Sequence, residues 1–492
     1  MSLSDITFSD GTLILRGWTD KAVGLVFGRD TWQWDPRIDA WRCPASSYYQ
    51  IRHALDRHSD GSTNDSVLQY GPVVFEQVSL PKLRPEQQAA VDAWTDRQKT
   101  RAISESLEAT DHNIDQESEV RCDRNRGVVV MPTGTGKTEV ALTMMEKLRC
   151  STLIVAPIRD LMYQWHRRIL RGLGYDAGII GDSLFNVKPV SVTTYDSACI
   201  HMPKLGNQFQ FLIFDECHHL PSAMRQDAAK MSVAEYRLGL TATPERSDGR
   251  HLNLTELIGP IVYRLEIDEV RGKSLAEYDI VRIPIHLNDR EQHLYDRLAK
   301  QVSTYVYERR RDDPTITWSK LSAESSHDLA AREVMSAFRQ KQSIEDHADE
   351  KNRVLEDLFR LHAGQPIIVF AGCNSMAREV SRRFLIPCLL SHCGKRERLD
   401  YLEGLRDGVY PAIVANRVLD EGVDLPEVKI AIVIGGMGST KQAKQRLGRI
   451  LRRQGNQKAT LYEVVCQDTN ETLRSRKRRA SDAYSRTRHR RL

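Results

Sequence analysis

The stretch GVVVMPTGTGKTEVALTMMEKL, residues 127–148, decides the fold of this chain. Its first four residues form a short apolar run that predicts a buried strand, and its last ten carry apolar residues at helical spacing. Between them lies MPTGTGKT, in which two glycines let backbone N–H groups curl around phosphate oxygens. A turn of this kind at a helix N-terminus predicts a nucleotide phosphate site.

Each residue of this phosphate loop has an expected part in the site. Lys137 is expected to reach the outer phosphates and Thr138 to hold Mg²⁺. The other residues expected to bind phosphate are Thr133, Gly134, Thr135 and Gly136. The alternative is a chance glycine-rich turn, and the strand, the helix and the complete GTGKT sequence argue against it.

Length and composition predict a soluble globular protein of about three domains. The 492 residues are 40% hydrophobic and 28% charged, as in ordinary soluble proteins. No apolar run approaches a membrane span and the first ten residues do not resemble a signal peptide, so we expect a cytoplasmic protein with no membrane partner. The nine cysteines lack a CxxC pair and are expected to be reduced thiols; around His392, packing of Cys388 and Cys393 is favoured over zinc.

Positive charge is concentrated at the end of the chain. The net charge is +5, yet residues 474–492 alone hold nine Arg and Lys against one Asp. So charged a stretch, with few apolar residues, predicts a basic disordered tail. Its functional interpretation is contact with nucleic-acid phosphates, and a solvated chain end is the alternative.

Alternating apolar strands and helices predict an α/β fold with two doubly wound parallel-sheet domains. A hairpin turn at Asp10-Gly11 and a following helix predict a small α+β domain at the N-terminus. A long helical pattern interrupts the second sheet domain as an insertion. The expected bounds are 1–80, 81–272 with a polar insertion at 97–125, 273–473 with the helical insertion at 290–345, and 474–492.

Three tryptophans of the N-terminal domain surround a turn at Asp35-Pro36. Trp32, Trp34 and Trp41 could stack on nucleic-acid bases. Aromatic residues of a small domain more often fill its core, and we expect them there. The run GPVVFEQVSL (71–80) predicts a further strand.

A pair of carboxylates ends another apolar strand, in FLIFDECHHLP. In a parallel sheet the carboxyl end of this strand lies beside the phosphate loop. Asp215 is therefore expected to hold Mg²⁺ and Glu216 to polarise the attacking water.

Small polar residues follow the carboxylates and a neighbouring strand. His218 is expected to link the nucleotide state to the second domain, and the part of His219 is left open. In LGLTATPER, Thr241 and Thr243 can couple the Glu216 region to DNA contacts through short hydrogen bonds.

Two stretches of the second sheet domain complete the predicted site. In VLDEGVDLPEV, Gly422 and Asp424 suit contacts with ribose or with nucleic-acid phosphate. In QRLGRILRR, the Gln445 amide can bond the γ-phosphate or the attacking water, and Arg449 and Arg452 share a helical face. Two guanidinium groups aimed at the γ-phosphate are arginine fingers; the alternative is a basic helix face, which the QRxGRxxR pattern argues against.

These motifs, in order from LRPEQ to QRLGRILR, resemble superfamily-two helicases. The loop supports this, because Pro-Thr-Gly-x-Gly-Lys-Thr, with Met131 in place of the usual first glycine, is the form found in helicase-like ATPases. The sequences DECHHLP, LGLTATPER with SDGRH, FLIP, RERLDYLEGLRDG, VLDEGVDLP and QRLGRILR are similar to the XPB helicases, especially the short archaeal or bacterial forms. The resemblance covers about residues 80–470 and, more weakly, WDPRIDAWRCPA.

The resemblance implies an ATP- and Mg²⁺-dependent DNA helicase or translocase with 3′→5′ polarity, acting in excision repair or duplex opening. The N-terminal domain would recognise damage, and the helical insertion would grip DNA at a junction of single strand and duplex. By position, Arg84 and Gln87 would read the adenine, while Arg159 and Thr194 would lie near the DNA backbone. A partner nuclease or a repair complex, and a nucleoid location in a prokaryote, are further implications.

One departure from the family pattern bears on strand separation. The strand-separating Arg-Glu-Asp element is matched here by Arg246-Ser247-Asp248, without the middle carboxylate. A duplex translocase without strand separation, in a defence or remodelling complex, therefore stays open beside the repair helicase. The third alternative is a DNA-binding scaffold with a dead ATPase, and the intact Lys137 and Glu216 argue against it.

Overall fold

The computed structural model describes residues 4–20, 22–23, 32–58, 63–69, 71–96, 125–246, 248–270, 278–390, 392–416, 428–435 and 459–479. The chain divides into two compact units, Met1–Glu266 and Ile267–Leu492. Three sheets lie within them, one small and largely antiparallel and two large and largely parallel. This arrangement confirms the predicted fold class. The predicted polar insertion lies outside the described residues except for Asn125.

A five-stranded sheet opens the first unit. Its strands are β1 (Ser4–Ser9), β2 (Thr12–Arg16), β3 (Gln33–Asp35), β4 (Ala40–Pro44) and β5 (Thr63–Asp65), in the order β3-β4-β2-β1-β5. The predicted turn joins β1 to its antiparallel partner β2, with Asp10 and Gly11 at φ of 50° and 75°. Helix α1 (Tyr48–His58) packs Ile51 and Leu55 into the core of this sheet.

The three tryptophans do not share one environment. Trp32 is buried in the core, as predicted, and Trp41 is half-buried with its indole N–H donating to the Trp18 carbonyl. Trp34 is 45% exposed, so the core prediction is wrong for this residue. The reason is that Trp34 lies on β3, a three-residue strand at the edge of the sheet.

The run 71–80 does not form the predicted strand. Its only described sheet pairing is a single antiparallel bridge between Pro72 and Cys150. Proline has no N–H with which to extend a ladder. The run instead follows the surface of the next domain, where the N–H of Ser79 donates to the Gly172 carbonyl at 2.8 Å.

An eight-stranded sheet forms the rest of the first unit, in the order β13-β6-β12-β11-β7-β10-β8-β9. The strands are β6 (Arg126–Val130), β7 (Thr152–Ala156), β8 (Gly178–Gly181), β9 (Leu184–Phe185), β10 (Val190–Thr194), β11 (Phe211–Asp215), β12 (Tyr236–Thr241) and β13 (Ile261–Arg264). All pairs are parallel except β8 with β9. The central strands are almost wholly buried, as expected for a parallel sheet that is covered on both faces.

Helices connect these strands. They are α2 (Pro85–Thr95), α3 (Lys137–Leu148), α4 (Arg159–Leu173), α5 (Tyr195–Leu205), α6 (Asp227–Lys230) and α7 (Leu254–Leu257), with 3-10 turns at Cys217–His219 and Arg250–Asn253. In the register of β11, β12 and β6, Asp215 lies opposite Leu240, and Thr241 lies opposite Val130. The carboxyl ends of these three strands therefore meet at one edge of the sheet.

The second unit contains a six-stranded parallel sheet in the order β14-β19-β18-β15-β17-β16. The strands are β14 (Tyr278–Ile285), β15 (Ile367–Phe370), β16 (Cys388–Leu389), β17 (Ala412–Ala415), β18 (Ile430–Val433) and β19 (Ala459–Cys466). The sequence did not predict β14, since Asp279, Arg282 and Pro284 interrupt its apolar pattern. These residues are tolerated because β14 is an edge strand.

Helices of the second unit include the predicted helical insertion. They are α8 (Ile267–Val270), α9 (Asp289–Asp312), α10 (Trp318–Glu324), α11 (Leu329–Asp346), α12 (Asp349–Leu361), α13 (Asn374–Phe384), α14 (Lys395–Arg406) and α15 (Asn470–Arg479). Asn288 and Glu291 cap α9 reciprocally, and Leu298 packs with Val334 between α9 and α11. None of the described helices is long and apolar enough to span a membrane.

The basic tail begins later than the sequence predicts. Residues 474–479 belong to α15, where Ser475 is fully buried and its hydroxyl donates to Glu463 at 2.9 Å. Arg474 forms an ion pair with the buried Glu345 of α11. The predicted disordered tail is therefore wrong for its first six residues, because these two side chains have partners in the sheet and the helical insertion. Residues 480–492 lie outside the described residues.

Candidate active site

The phosphate loop turns sharply between β6 and α3. Gly134 and Gly136 have φ of 87° and 88°, the left-handed region that glycine adopts without strain. A Cβ on Gly136 would lie 2.2 Å from the amide nitrogen of Gln87, so space excludes a side chain as well. The loop leads directly into a twelve-residue helix whose first N–H groups have no helical acceptor. These groups are available to an anion.

Two side chains of the loop fit a nucleotide phosphate. The Lys137 ammonium donates to the Met131 carbonyl at 3.0 Å, which holds it over the loop. The Thr133 hydroxyl is buried and lacks a hydrogen-bond partner among the described residues, a costly arrangement unless a ligand satisfies it. Thr135 supports the loop from within, because its buried hydroxyl donates to the Pro132 carbonyl at 2.7 Å.

Gln87 contacts the phosphate loop directly. Its Nε2 donates to the Thr135 carbonyl at 2.8 Å, and its Oε1 accepts from the Arg84 N–H at 2.8 Å. The side chain is buried, whereas Arg84 is exposed at the start of α2. The predicted adenine-side residues are thus joined to the loop through one amide.

Asp215 lies at the end of β11, in the middle of the sheet. Its Oδ2 accepts from the indole N–H of Trp165 at 2.9 Å, and its Oδ1 accepts from the Glu216 N–H at 3.0 Å. Burial, with the neighbouring Glu216 carboxylate, raises the pKa of Asp215 above its usual range, against the opposing effects of Trp165 and Lys137. Such a carboxylate gains from a bound cation, which favours its ionised form.

Asp215 and Thr138 would hold Mg²⁺ together with phosphate oxygens. Mg²⁺ usually takes one or two carboxylates and keeps several waters and phosphate oxygens, so it needs no cage of protein ligands. In the described part of the chain no group of three or more His, Cys, Asp or Glu is arranged to hold a metal. Cys388 and Cys393 instead pack against the core of the second sheet.

Glu216, His218 and Thr241 form a chain of polar contacts in which His218 and Thr241 are buried. The Thr241 hydroxyl lies 3.0 Å from His218 Nδ1 and 3.5 Å from Glu216 Oε2, and it accepts from the Thr243 N–H at 3.1 Å. His218 Nδ1 lies 3.4 Å from the same Glu216 oxygen. Glu216 has a φ of 47°, which is rare for a residue other than glycine and concentrates at functional sites. The residues predicted to couple hydrolysis to DNA are therefore in contact.

Arg246 extends this chain of contacts. Its Nη1 donates to the His218 carbonyl at 2.8 Å, while Nε and Nη2 form a bidentate pair with Asp248 at 2.9 and 2.7 Å. Ser247 lies outside the described residues. The two outer residues of the predicted strand-separation triplet thus bind each other, and Arg246 also binds the turn that follows Glu216.

The two predicted DNA contacts have different environments. The Arg159 side chain is 70% exposed and forms an ion pair with Asp182 at 2.7 Å. Exposed pairs of this kind contribute about 0–1 kcal/mol, so a DNA phosphate can replace Asp182. The Thr194 hydroxyl caps α5 by accepting from the Ser197 N–H at 3.3 Å, and Thr194 is largely buried. Its hydroxyl therefore has a structural partner already.

Five predicted site residues belong to the second unit and lie outside the described residues. They are Gly422, Asp424, Gln445, Arg449 and Arg452. Their roles stay predictions.

Sequence reasoning missed two aromatic residues that hold Asp215. Besides the Trp165 indole, the Tyr195 hydroxyl donates to the Asp215 carbonyl at 2.9 Å. Both residues lie on apolar helical faces and are buried, so their sequence pattern is that of core residues. Only their polar tips distinguish them, since a buried indole or phenol needs a partner.

Sequence models of three families match successive parts of the chain. Residues 6–60 match the xeroderma pigmentosum group B helicase damage recognition domain. Residues 80–246 match the type III restriction enzyme res subunit, and residues 318–482 match the ERCC3/RAD25/XPB C-terminal helicase.

A full-length relative decides the family. The chain is 38% identical to a protein of Sulfurisphaera tokodaii named DNA 3′-5′ translocase XPB2, over 91% of this chain and 95% of the relative. This chain belongs to the XPB helicase family. Another XPB relative, the DNA 3′-5′ helicase XPB of Kineococcus radiotolerans, is 30% identical over 70% of this chain and 58% of its own length.

A solved structure supports the fold of this XPB chain. The helicase domain of Hef from Pyrococcus furiosus has a TM-score of 0.50 and 16% identity, covering 73% of this chain and 96% of the Hef chain. At this identity the likeness concerns the fold alone. It agrees with the two large parallel sheets.

Proposed function

We propose that this chain is an ATP-dependent 3′–5′ DNA helicase or translocase of the XPB type, acting in DNA repair or duplex opening. The observation that carries the proposal is the meeting of Lys137, Asp215, Glu216 and Thr241 at one sheet edge of an XPB-family chain. The name of the Sulfurisphaera relative supports the polarity. The match of residues 6–60 to a damage recognition domain supports repair.

In this proposal the first unit binds the phosphates of ATP. Lys137, the loop N–H groups and the Thr133 hydroxyl contact phosphate oxygens. Thr138 and Asp215 would hold Mg²⁺, which when bound would supply positive charge beside the phosphates. Glu216 orients the attacking water and accepts its proton.

The remaining predicted residues complete the proposal. Gln445, Arg449 and Arg452 stabilise the γ-phosphate during hydrolysis, and Gly422 and Asp424 contact ribose or nucleic-acid phosphate. The sequence motifs that contain these five residues are the basis for assigning these roles.

The contacts of Thr241 provide a route from hydrolysis to DNA movement. The Thr241 hydroxyl touches both Glu216 and His218, and the His218 carbonyl accepts from Arg246. A change in the position of the Glu216 carboxylate therefore bears on Arg246 and its ion pair with Asp248. We assign this chain of contacts to the coupling of ATP hydrolysis with DNA.

DNA contacts in the proposal are mainly with phosphates. Arg159 supplies one phosphate contact in the first unit, and Thr194 takes part through its backbone. The basic residues after Arg479 supply further phosphate contacts. Such binding has little sequence preference and a strong salt dependence. A repair complex or partner nuclease, and a nucleoid location in a prokaryotic cell, would follow from this activity.

A second candidate is a duplex translocase that does not separate strands. The Ser247 substitution favours it, because the carboxylate of the strand-separating triplet is missing. The two remaining triplet residues, Arg246 and Asp248, form an ion pair, so each charge already has a partner within the triplet. The Sulfurisphaera relative is itself named a translocase.

One experiment compares the two candidates. ATPase activity is measured beside displacement of a duplex strand, from 3′- or 5′-tailed substrates, and displacement of a third strand from a triplex. A helicase displaces the duplex strand from 3′-tailed substrates only, whereas the second candidate displaces only the triplex strand. Ser247→Glu should raise duplex strand displacement if the missing carboxylate is the cause. No DNA stimulation of ATPase and no displacement of either kind would contradict the proposed function.

A further inference from the structure

A second polar cluster lies in the sheet of the other unit. Cys373 follows β15 and is the N-cap residue of the eleven-residue helix α13. Its Sγ lies 3.1 Å from the Ser375 hydroxyl, which lies 3.1 Å from Nε2 of His347. On the other side of the ring, His347 Nδ1 is 2.5 Å from a Glu379 carboxylate oxygen. Ser375 and Glu379 lie on α13 close to Cys373, whereas His347 follows α11, and none of the four belongs to the proposed ATP site.

The cluster has the order of a thiol, an imidazole and a carboxylate. Asn352 Nδ2 donates to the other oxygen of Glu379 at 3.1 Å, which fixes the carboxylate against the ring. A carboxylate on Nδ1 stabilises the imidazolium form and orients Nε2 toward the Ser375 hydroxyl, which in turn contacts the thiol. A thiol at a helix N-terminus beside an imidazolium gains further stabilisation as a thiolate.

The charges around the sulfur agree with this geometry. The hydrogen bond with Cys373, followed by the Glu379 carboxylate, raises the pKa of His347 to about 9 against the effect of burial. The pKa of Cys373 is lowered: burial opposes the change, and hydrogen bonds from His347, Ser375 and the Met376 N–H outweigh it. Two charged groups complete the surroundings: Asp346, whose carboxylate opposes the thiolate, and Arg383, which faces Glu379.

Six other cysteines of the chain have a pKa that is raised, whereas that of Cys373 is lowered. Burial raises the pKa of Cys43, Cys150, Cys199, Cys217 and Cys466. Burial also raises the pKa of Cys388, a half-buried thiol of the same unit, to about 11. Cys373 is likewise half-buried. Cys388 is therefore a matched control within one chain.

We propose that Cys373 is a site of modification by small electrophiles such as hydrogen peroxide, with His347 and Glu379 as positioning residues. The thiolate attacks one peroxide oxygen, an S–O bond forms and the O–O bond breaks. The sulfur is oxidised by two electrons to a sulfenic acid, and the peroxide is reduced. The leaving hydroxide takes the proton of the His347 imidazolium and departs as water.

The site contacts the residue that follows strand β17 of the same sheet. Asn374, next to Cys373, accepts a hydrogen bond of 2.9 Å from Asn416, the last described residue before the stretch that contains Gly422 and Asp424. A sulfenic acid at Cys373 adds an oxygen beside this contact. We therefore expect peroxide to lower ATPase activity, a consequence that rests on the proposed function. The labelling experiment does not depend on it.

The test uses the full chain and limiting iodoacetamide, with each cysteine followed by mass spectrometry from pH 5 to 9. Cys373 should react at least about tenfold faster than Cys388 at pH 7, because its thiolate fraction is larger. His347→Gln and Glu379→Gln should each slow Cys373 by about fivefold or more and move its pH midpoint upward. Cys388 and the buried Cys466 should keep their rates, which reports an intact fold.

Peroxide followed by dimedone should label Cys373 and leave Cys388 unlabelled. Equal rates for Cys373 and Cys388 in the native chain would overturn the proposal. So would an unchanged Cys373 profile in both variants, because a merely structural cluster would leave the pH midpoint unmoved. If Cys466 becomes reactive in His347→Gln, that variant has lost its fold, and the Glu379→Gln variant alone is used to judge the proposal. Loss of ATPase activity without any Cys373 labelling also overturns it, whereas labelling without loss of ATPase contradicts only the functional consequence.

Discussion

The indole N–H of Trp165 donates a hydrogen bond of 2.9 Å to Oδ2 of Asp215, the carboxylate assigned to Mg²⁺. This bond orients the carboxylate and opposes the rise of its pKa caused by burial. Residues that support a metal ligand in this way typically change metal affinity 10–100-fold when removed. Trp165 is therefore a supporting residue of the proposed site, although no motif contains it.

Trp165→Phe should raise the Mg²⁺ concentration for half-maximal ATPase by about tenfold. Phenylalanine keeps most of the buried apolar volume but cannot donate to Asp215. Trp94→Phe is the matched control, since Trp94 is equally buried and its indole donates to the Arg237 carbonyl instead. The measurement is a Mg²⁺ titration at saturating ATP, and equal titrations of the two variants would contradict the role of Trp165.

Gln87→Ala should raise the KM for ATP by about tenfold. The substitution leaves the Thr135 carbonyl of the phosphate loop without its side-chain donor, and an unsatisfied buried group costs about 1–3 kcal/mol. Gln88→Ala is the control, because Gln88 is exposed and its side-chain amide donates to Asp92 in its own helix. Steady-state ATPase kinetics check the prediction, which fails if the KM of both variants equals that of the native chain.

Thr241→Val should reduce the stimulation of ATPase by DNA more than it reduces basal ATPase. Valine keeps the shape of threonine but breaks the contacts with His218 and Glu216. The loss of one or two hydrogen bonds, at about 0.5–1.5 kcal/mol each, predicts a change of at least about twofold. Thr241→Ser keeps the hydroxyl and should retain the stimulation. A proportional loss of both activities in Thr241→Val would show that Thr241 serves hydrolysis alone.

The proximity of the motif residues could be predicted from the sequence, because all strands of a parallel sheet end at the same edge. A parallel sheet brings the carboxyl ends of β6, β11 and β12 to one edge, so Lys137, Asp215 and Thr241 had to lie close together. The parallel sheets and the helical insertion followed from apolar periodicity in the same way.

Contacts made by the tips of apparent core residues could not be predicted. Trp165 is indistinguishable in sequence from any buried tryptophan, and the hydrogen bond to Asp215 depends on how α4 lies on the sheet. The predicted start of the basic tail at residue 474 was wrong for a related reason. Charge alone suggests solvation for Arg474, whereas its buried partner Glu345 is distant in the sequence.

The position of α15 changes how the basic tail should be tested. Deleting residues 480–492 should flatten the salt dependence of DNA binding by up to about 4 in the log–log slope, because each phosphate contact adds about 0.9 and the segment contains four Arg and one His. Deleting residues 474–492 should also destabilise the second unit, since Arg474 and Ser475 leave Glu345 and Glu463 without these partners. Salt titrations and thermal melts of both truncations separate the two effects. An unchanged slope in the shorter deletion would mean that the tail does not contact DNA.

The most direct test of the account is DNA-stimulated ATP hydrolysis by Glu216→Gln. Glutamine fills the same space and keeps the loop intact but cannot accept the proton of the attacking water. A positioned general base contributes about 10²–10⁴-fold, so kcat should fall by at least about 100-fold while the Kd for ATP changes by less than about threefold. Near-native turnover by Glu216→Gln, with ATP binding unchanged, would contradict the assignment of the active site to this edge of the first sheet.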